Sequence, residues 1–131
     1  MARRPSQHPT ELELQILDVL WDRGRSPVRD VRAALAEAGR PLAHSSVVTM
    51  LNIMHGKRLV RRRKVGKAFE FTAGVPREKV GVGMTRDLLG KLFGGSPAAM
   101  MLGLMDAGEL DDEEIAEIRR LIDDHGPGDR S

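Results

Sequence analysis

At Gly56 the apolar residues of this chain stop recurring every three or four positions and begin to alternate. That change places a hairpin directly behind a run of short helices. Thr10 and Glu13 form a T-x-x-E capping box that starts the first helix. Leu12, Ile16, Val19 and Leu20 follow at helical spacing, widened by Leu14, Leu17 and Trp21, until Gly24 ends the element. Ser26 reads as the N-cap of a second helix, with Pro27 at its first position and Val28, Val31 and Leu35 as a narrow buried stripe. Arg29, Asp30 and Arg32 are expected to face water, and Gly39 and Pro41 to close the helix. A third helix, from about Ser45 to Met54, buries Val47, Met50, Leu51 and Met54. Its other face offers Ser45, Ser46, Val48, Thr49 and Asn52, all short and uncharged. A helix exposed only to water usually carries Glu and Lys there, so this face is suited to close approach. Leu59-Val60 then opens a strand that Arg61 to Lys64 carries outward, Val65-Gly66 turns it, and Ala68 to Thr72 returns. Phe69 and Phe71 share one face of that hairpin and Glu70 takes the other.

Three short helices and a basic hairpin are the order of a winged helix-turn-helix, whose third helix enters the major groove of DNA. The base-reading candidates are Ser45, Ser46, Thr49 and Asn52, with Asn52 suited to adenine. The net charge of +2 hides an uneven distribution. Residues 1–80 carry 16 Lys/Arg against 8 Asp/Glu, and residues 81–131 carry 5 against 11. Between Lys57 and Lys67 stand seven cations and no acid. Such a cluster repels itself, and bound phosphates would relieve it. Phosphate contacts are therefore expected from Arg62, Arg63, Lys64 and Lys67, and from Thr10, Ser26 and His44 at helix starts. Two blander readings compete: an exposed helix beside a solvated charge run, and a winged helix used as a protein–protein adaptor. A steep salt dependence of binding separates DNA contact from the adaptor.

Ala73-Gly74-Val75-Pro76 is the candidate boundary. Beyond it Val80, Met84, Leu88 and Leu92 form a stripe supported by Leu89 and Phe93, Gly94-Gly95 breaks the helix, and Ser96-Pro97 starts another with Met101, Leu102 and Met105. The last helix has Asp111 as N-cap and Glu114 at the box position, followed by Ile115, Ile118, Leu121 and Ile122. These stripes are too wide for so short a segment to bury alone, and a second copy would cover them. The dimerisation candidates are Val80, Met84, Leu88, Leu92, Met101, Met105, Ile115, Ile118, Leu121 and Ile122. The alternative is that this segment folds back onto the winged helix as one larger monomer. The expected fold is mainly α with a small β-hairpin. Its domains are a flexible tail at 1–9, a winged helix at 10–75, a helical dimerisation region at 76–125 and a frayed tail at 126–131.

Other classes find little footing. The absence of cysteine excludes a disulfide scaffold, thiolate zinc sites and cysteine nucleophiles. His8, His44, His55 and His125 lack metal-ligand spacing, and the acids from Asp111 to Glu114 are explained by a helix start. Gly94-Gly95-Ser96 lacks the lysine and preceding strand of a phosphate loop. Neither catalysis nor a metal or cofactor is expected. No apolar run approaches the roughly 20 residues of a membrane span. Met1 to Thr10 carries two arginines without an apolar stretch, so it reads as no signal peptide and the protein as cytoplasmic, with no membrane partner.

The combined motifs resemble the penicillinase-repressor family of bacterial transcription regulators, the BlaI/MecI/CopY group. The stretches that carry the resemblance are T-E-L-E-L-Q-I-L-D-V-L-W from Thr10, S-P-V-R-D-V-R-A-A-L from Ser26, S-S-V-V-T-M-L-N from Ser45, and L-V-R-R-R-K-V-G-K-A-F-E-F from Leu59. The acidic L-D-D-E-E-I-A-E-I-R-R-L from Leu110 joins them, so the resemblance spans about residues 10–123. It implies a homodimeric repressor on a pseudo-palindromic operator, with an N-terminal winged helix and a C-terminal dimerisation region. Where relatives have Arg-Leu after Asn52, this chain has Ile53-Met54. Where they have a Lys-Gly turn before the wing, Arg58 follows Lys57. The cysteines of copper-responsive members are absent. Some relatives are switched off when a sensor system triggers a cut at an Asn-Phe bond. Gly103-Leu104 stands at the equivalent place here, so a protease or sensor partner would act elsewhere or another signal would release the DNA.

Overall fold

A computed structural model describes residues 8–125. The tail at 126–131 and most of the tail at 1–9 lie outside those residues. The elements in order are α1 (Glu11–Arg23), β1 (Ser26–Pro27), α2 (Val28–Glu37), α3 (His44–Gly56), β2 (Val60–Val65), β3 (Ala68–Ala73), α4 (Arg77–Phe93), α5 (Pro97–Asp106) and α6 (Asp112–His125). The chain is mostly helical with one small antiparallel sheet.

The capping box of α1 is complete. Thr10 Oγ1 accepts from the Glu13 amide at 3.2 Å, and the Thr10 amide donates to Glu13 Oε1 at 2.9 Å. The buried line of α1 is Glu13, Ile16, Leu17 and Leu20, with Leu12, Val19 and Trp21 at its edges. Ile16, Leu17 and Leu20 join Val31 and Leu35 of α2, Val47, Leu51 and Met54 of α3, and Leu59, Val60 and Phe71 of the sheet in one core. Each such side chain contributes about 1.5–3 kcal/mol on burial. Met50 and Val28 pack against this cluster from its margin.

The start of the second helix differs from expectation. Pro27 is its N-cap, without a side-chain cap, and Ser26–Pro27 forms an edge strand against Phe71 and Glu70. The sheet therefore has three strands, ordered β1-β3-β2, where the sequence suggests two. A proline has no amide to offer a ladder and so suits an edge. Ser26 is only 3% exposed, and its hydroxyl donates to the Gly24 carbonyl at 2.9 Å.

The end of α3 closes in an unexpected way. The Arg58 amide donates to the His55 carbonyl and the Leu59 amide to the Met54 carbonyl, which is the Schellman arrangement. Arg58 occupies its left-handed position, at φ 66°, where glycine is usual. A side chain there costs about 1–2 kcal/mol. Neighbouring backbone holds the conformation: the Gly74 amide donates to the Leu59 carbonyl, and a Cβ on Gly74 would stand 3.0 Å from the Arg58 carbonyl oxygen. Register then runs from Val60↔Ala73 to Val65↔Ala68, leaving Gly66-Lys67 as a two-residue turn with Gly66 at φ 63°.

Compact units divide between Met84 and Thr85, not at the Gly-Pro stretch near residue 75. Trp21 explains the shift. Its half-buried indole donates to the Val75 carbonyl at 2.9 Å, and Arg77 lies over its ring while pairing with Asp18 at 3.6 Å. Val80, three residues on, is buried as well. The second unit comprises the rest of α4 with α5 and α6. Ser96 Oγ accepts from the Ala99 amide and Asp111 Oδ1 from the Glu114 amide, so the two expected caps are present. Gly103 of α5 lets the Phe93 ring approach, with 3.3 Å to a notional Cβ. Among the described residues no single helix is long and apolar enough to cross a membrane.

Candidate nucleic-acid interface

Burial of Val47, Leu51 and Met54 turns the opposite side of α3 outward, so Ser45, Ser46, Thr49 and Asn52 are all exposed. Ile53, beside them, is exposed too. His44 is the first residue of α3 and exposed, and the N-cap Ala43 places no side chain on the helix amides. This end of α3 carries uncompensated N–H groups, which attract anions.

The wing stands beside this face. Arg61, Arg62, Arg63, Lys64 and Lys67 are exposed, and among the described residues none of them has a carboxylate partner. Register sorts them. Arg62 and Lys64 lie opposite Phe71 and Phe69 and share their face, whereas Arg61 and Arg63 lie opposite Thr72 and Glu70 on the other. Arg62 Nη1 donates to Asn52 Oδ1 at 3.2 Å, and its guanidinium sits 4.5 Å from the Phe69 ring centroid. Wing and helix are thus tied by one side chain.

Two expected phosphate groups are placed differently. Ser26 is buried with its hydroxyl committed to Gly24, so it leaves the set of surface contacts. Thr10 is exposed, but its oxygen is occupied as the cap of α1. Lys57, counted in the cation cluster, is committed as well: its Nζ donates to Glu13 Oε2 at 2.8 Å. Glu13 is 1% exposed. Burial pushes its carboxyl up, but the bonds from Lys57 and the Thr10 amide and the Lys57 charge outweigh burial and hold it below the usual range. The spacing 13, 16, 17, 20 carries the signal of that burial, because it sets Glu13 on the core stripe.

Of the dimerisation candidates, Val80 is already buried in the single chain. Met84, Met101, Ile115 and Ile118 are half-buried. Leu88, Leu92, Met105, Leu121 and Ile122 are exposed, Leu92 at 70% and Ile122 at 64%. No residue of α5 or α6 is buried.

The family model described as Penicillinase repressor matches residues 9–124. The chain is 17% identical to a penicillinase repressor of Staphylococcus aureus, over 86% of this chain and 88% of that one. To a penicillinase repressor of Bacillus licheniformis it is 21% identical, over 88% and 90%. The fold is similar to that of the YusO protein from Bacillus subtilis, with a TM-score of 0.51, 16% identity, and coverage of 88% of this chain and 72% of that one.

Proposed function

The chain belongs to the penicillinase repressor family of transcriptional repressors, and we propose that it binds a pseudo-palindromic operator as a homodimer. The observation that carries this reading is the exposed, uncharged face of α3 standing beside wing cations that have no carboxylate partners among the described residues. Ser45, Ser46, Thr49 and Asn52 meet base edges in the major groove, where short side chains bring the helix close. Arg63, Lys64, Lys67 and His44 grip phosphates and set the register without reading sequence. The exposed stripes of the second unit hold two chains together at half-site spacing.

The division of labour has separable signatures. Replacing Arg63, Lys64 and Lys67 with alanine is expected to weaken specific and random duplexes alike, and to lower the salt slope by up to about 3. Thr49→Ala is expected to cost about 1–3 kcal/mol on a selected site and little on random DNA. Titrations of both duplexes across a salt series check this, and indistinguishable behaviour of the two variants would refute it.

Release from DNA follows a different route from a cut at an Asn-Phe bond, which this chain lacks. Gly103-Leu104 takes that place here, within α5, and offers a different pair of residues. Blotting cells after beta-lactam exposure is expected to reveal no fragment ending at Gly103. Its appearance would overturn the point.

A further inference from the structure

We infer that Arg62 sets base specificity where Asn52 meets the DNA, making the pair a reader of guanine and not of adenine. This rests on the operator-binding reading above and deepens it. An unengaged asparagine matches adenine because its amide offers one donor and one acceptor, complementary to N7 and the N6 amino group. Here Asn52 Oδ1 already accepts from Arg62 Nη1 at 3.2 Å. The carbonyl is turned to the wing and the NH2 away from it. What the pair then presents is mainly donors: the Asn52 NH2 and the remaining guanidinium N–H groups. Adenine brings its own amino hydrogens against those donors. Guanine answers them with two acceptors, N7 and O6.

Register separates Arg62 from Arg61 and Arg63, and ring contact and side-chain chemistry separate it from Lys64. Its register opposite Phe71 puts it on the same face as Phe69, whereas Arg63 lies opposite Glu70 on the other face. The Phe69 ring, 4.5 Å away, restrains the guanidinium plane. A guanidinium can stack on a ring and donate in its plane at once, which an ammonium cannot do. Arg62 therefore acts as a specificity-determining residue, and Arg63 as an ordinary phosphate contact.

Duplexes selected from a random pool by the full-length chain, R62A, R62K and R63A test this. The wild-type chain should enrich guanine at one position of each half-site. On that duplex, guanine-to-adenine exchange should weaken wild-type binding about 10-fold or more, and weaken R62K binding less than about threefold. R62A should lose the guanine while keeping the rest of the consensus, and R63A should keep the whole consensus at lower affinity. R62K retains the charge, so a pure phosphate role would leave the consensus and the discrimination unmoved, and that result overturns the inference. A wild-type consensus without a guanine that tracks Arg62 overturns it too. If the wild-type chain enriches no sequence, the operator reading itself fails and the inference with it.

Discussion

A chain ending at Met84 is expected to stay folded, to sediment as a monomer, and to bind a two-half-site operator about 10²- to 10⁴-fold more weakly than the full chain. The first unit owns its core, since Ile16, Leu17, Leu35, Val47, Leu51, Met54, Val60 and Phe71 all lie before residue 75. It also owns the opening of α4, through the Trp21–Val75 bond, the Arg77 contacts and buried Val80. A cut near residue 75 would strip those contacts and expose the indole, so Met84 is the better end point. What is removed is a segment whose α5 and α6 bury no residue of their own and leave Leu102, Leu121 and Ile122 largely exposed. Apolar surface of that kind is the mark of an interface. Loss of affinity then follows from unlinking two half-site contacts, because the second contact gains from its high effective concentration only while the chains are joined. Sedimentation of the shortened chain as a dimer would remove α5 and α6 from the proposed interface. A shortened chain that bound as tightly as the whole one would remove the dimer from the mechanism.

Regular features of this fold were legible because each leaves a periodic trace. The Thr10–Glu13 box, the α3 stripe and the alternation of Phe69 and Phe71 are all local patterns, and the structure carries them as read. The departures arise where a side chain answers to something distant in sequence. Ser26 looks like an N-cap in isolation. Its partners, Gly24 and the Phe71 strand, make it an edge of the sheet instead. Trp21 moves the division of units by taking its acceptor 54 residues away. Arg58 in a left-handed conformation is illegible by residue preference, because only the surrounding backbone fixes it. At the candidate interface, residue types were readable from polarity on α3. The Arg62 tie was not, because it depends on how wing and helix approach each other.

Lys57→Met is expected to destabilise the first unit by about 1–3 kcal/mol at pH 7, with the deficit shrinking as the pH falls toward 4. Glu13 is almost wholly buried, and Lys57 is the cation that compensates it. Lys57 itself is half-exposed, so water reaches that side of the pair and keeps the cost below that of a fully enclosed one. The direction with pH comes from linkage. In the native protein the Glu13 carboxyl is held below the usual carboxylate range, so its contribution is present above that range and is lost as the pH falls through the lowered value. Without Lys57 only the Thr10 bonds oppose burial, so the carboxyl moves up from its native position. A carboxyl moved up in this way loses stability relative to the native chain as the pH climbs through its value. The two chains should therefore converge in acid and diverge toward neutrality. Glu13→Gln makes the complementary point, since the amide oxygen can still accept from Thr10 while Lys57 is left half in water, and its deficit should vary less with pH than that of Lys57→Met. Urea unfolding of the three chains at pH 7 and pH 4 measures both effects. Equal deficits for Lys57→Met at the two pH values would show that the pair does not carry the charge of Glu13, and that α1 and α3 are joined by packing alone.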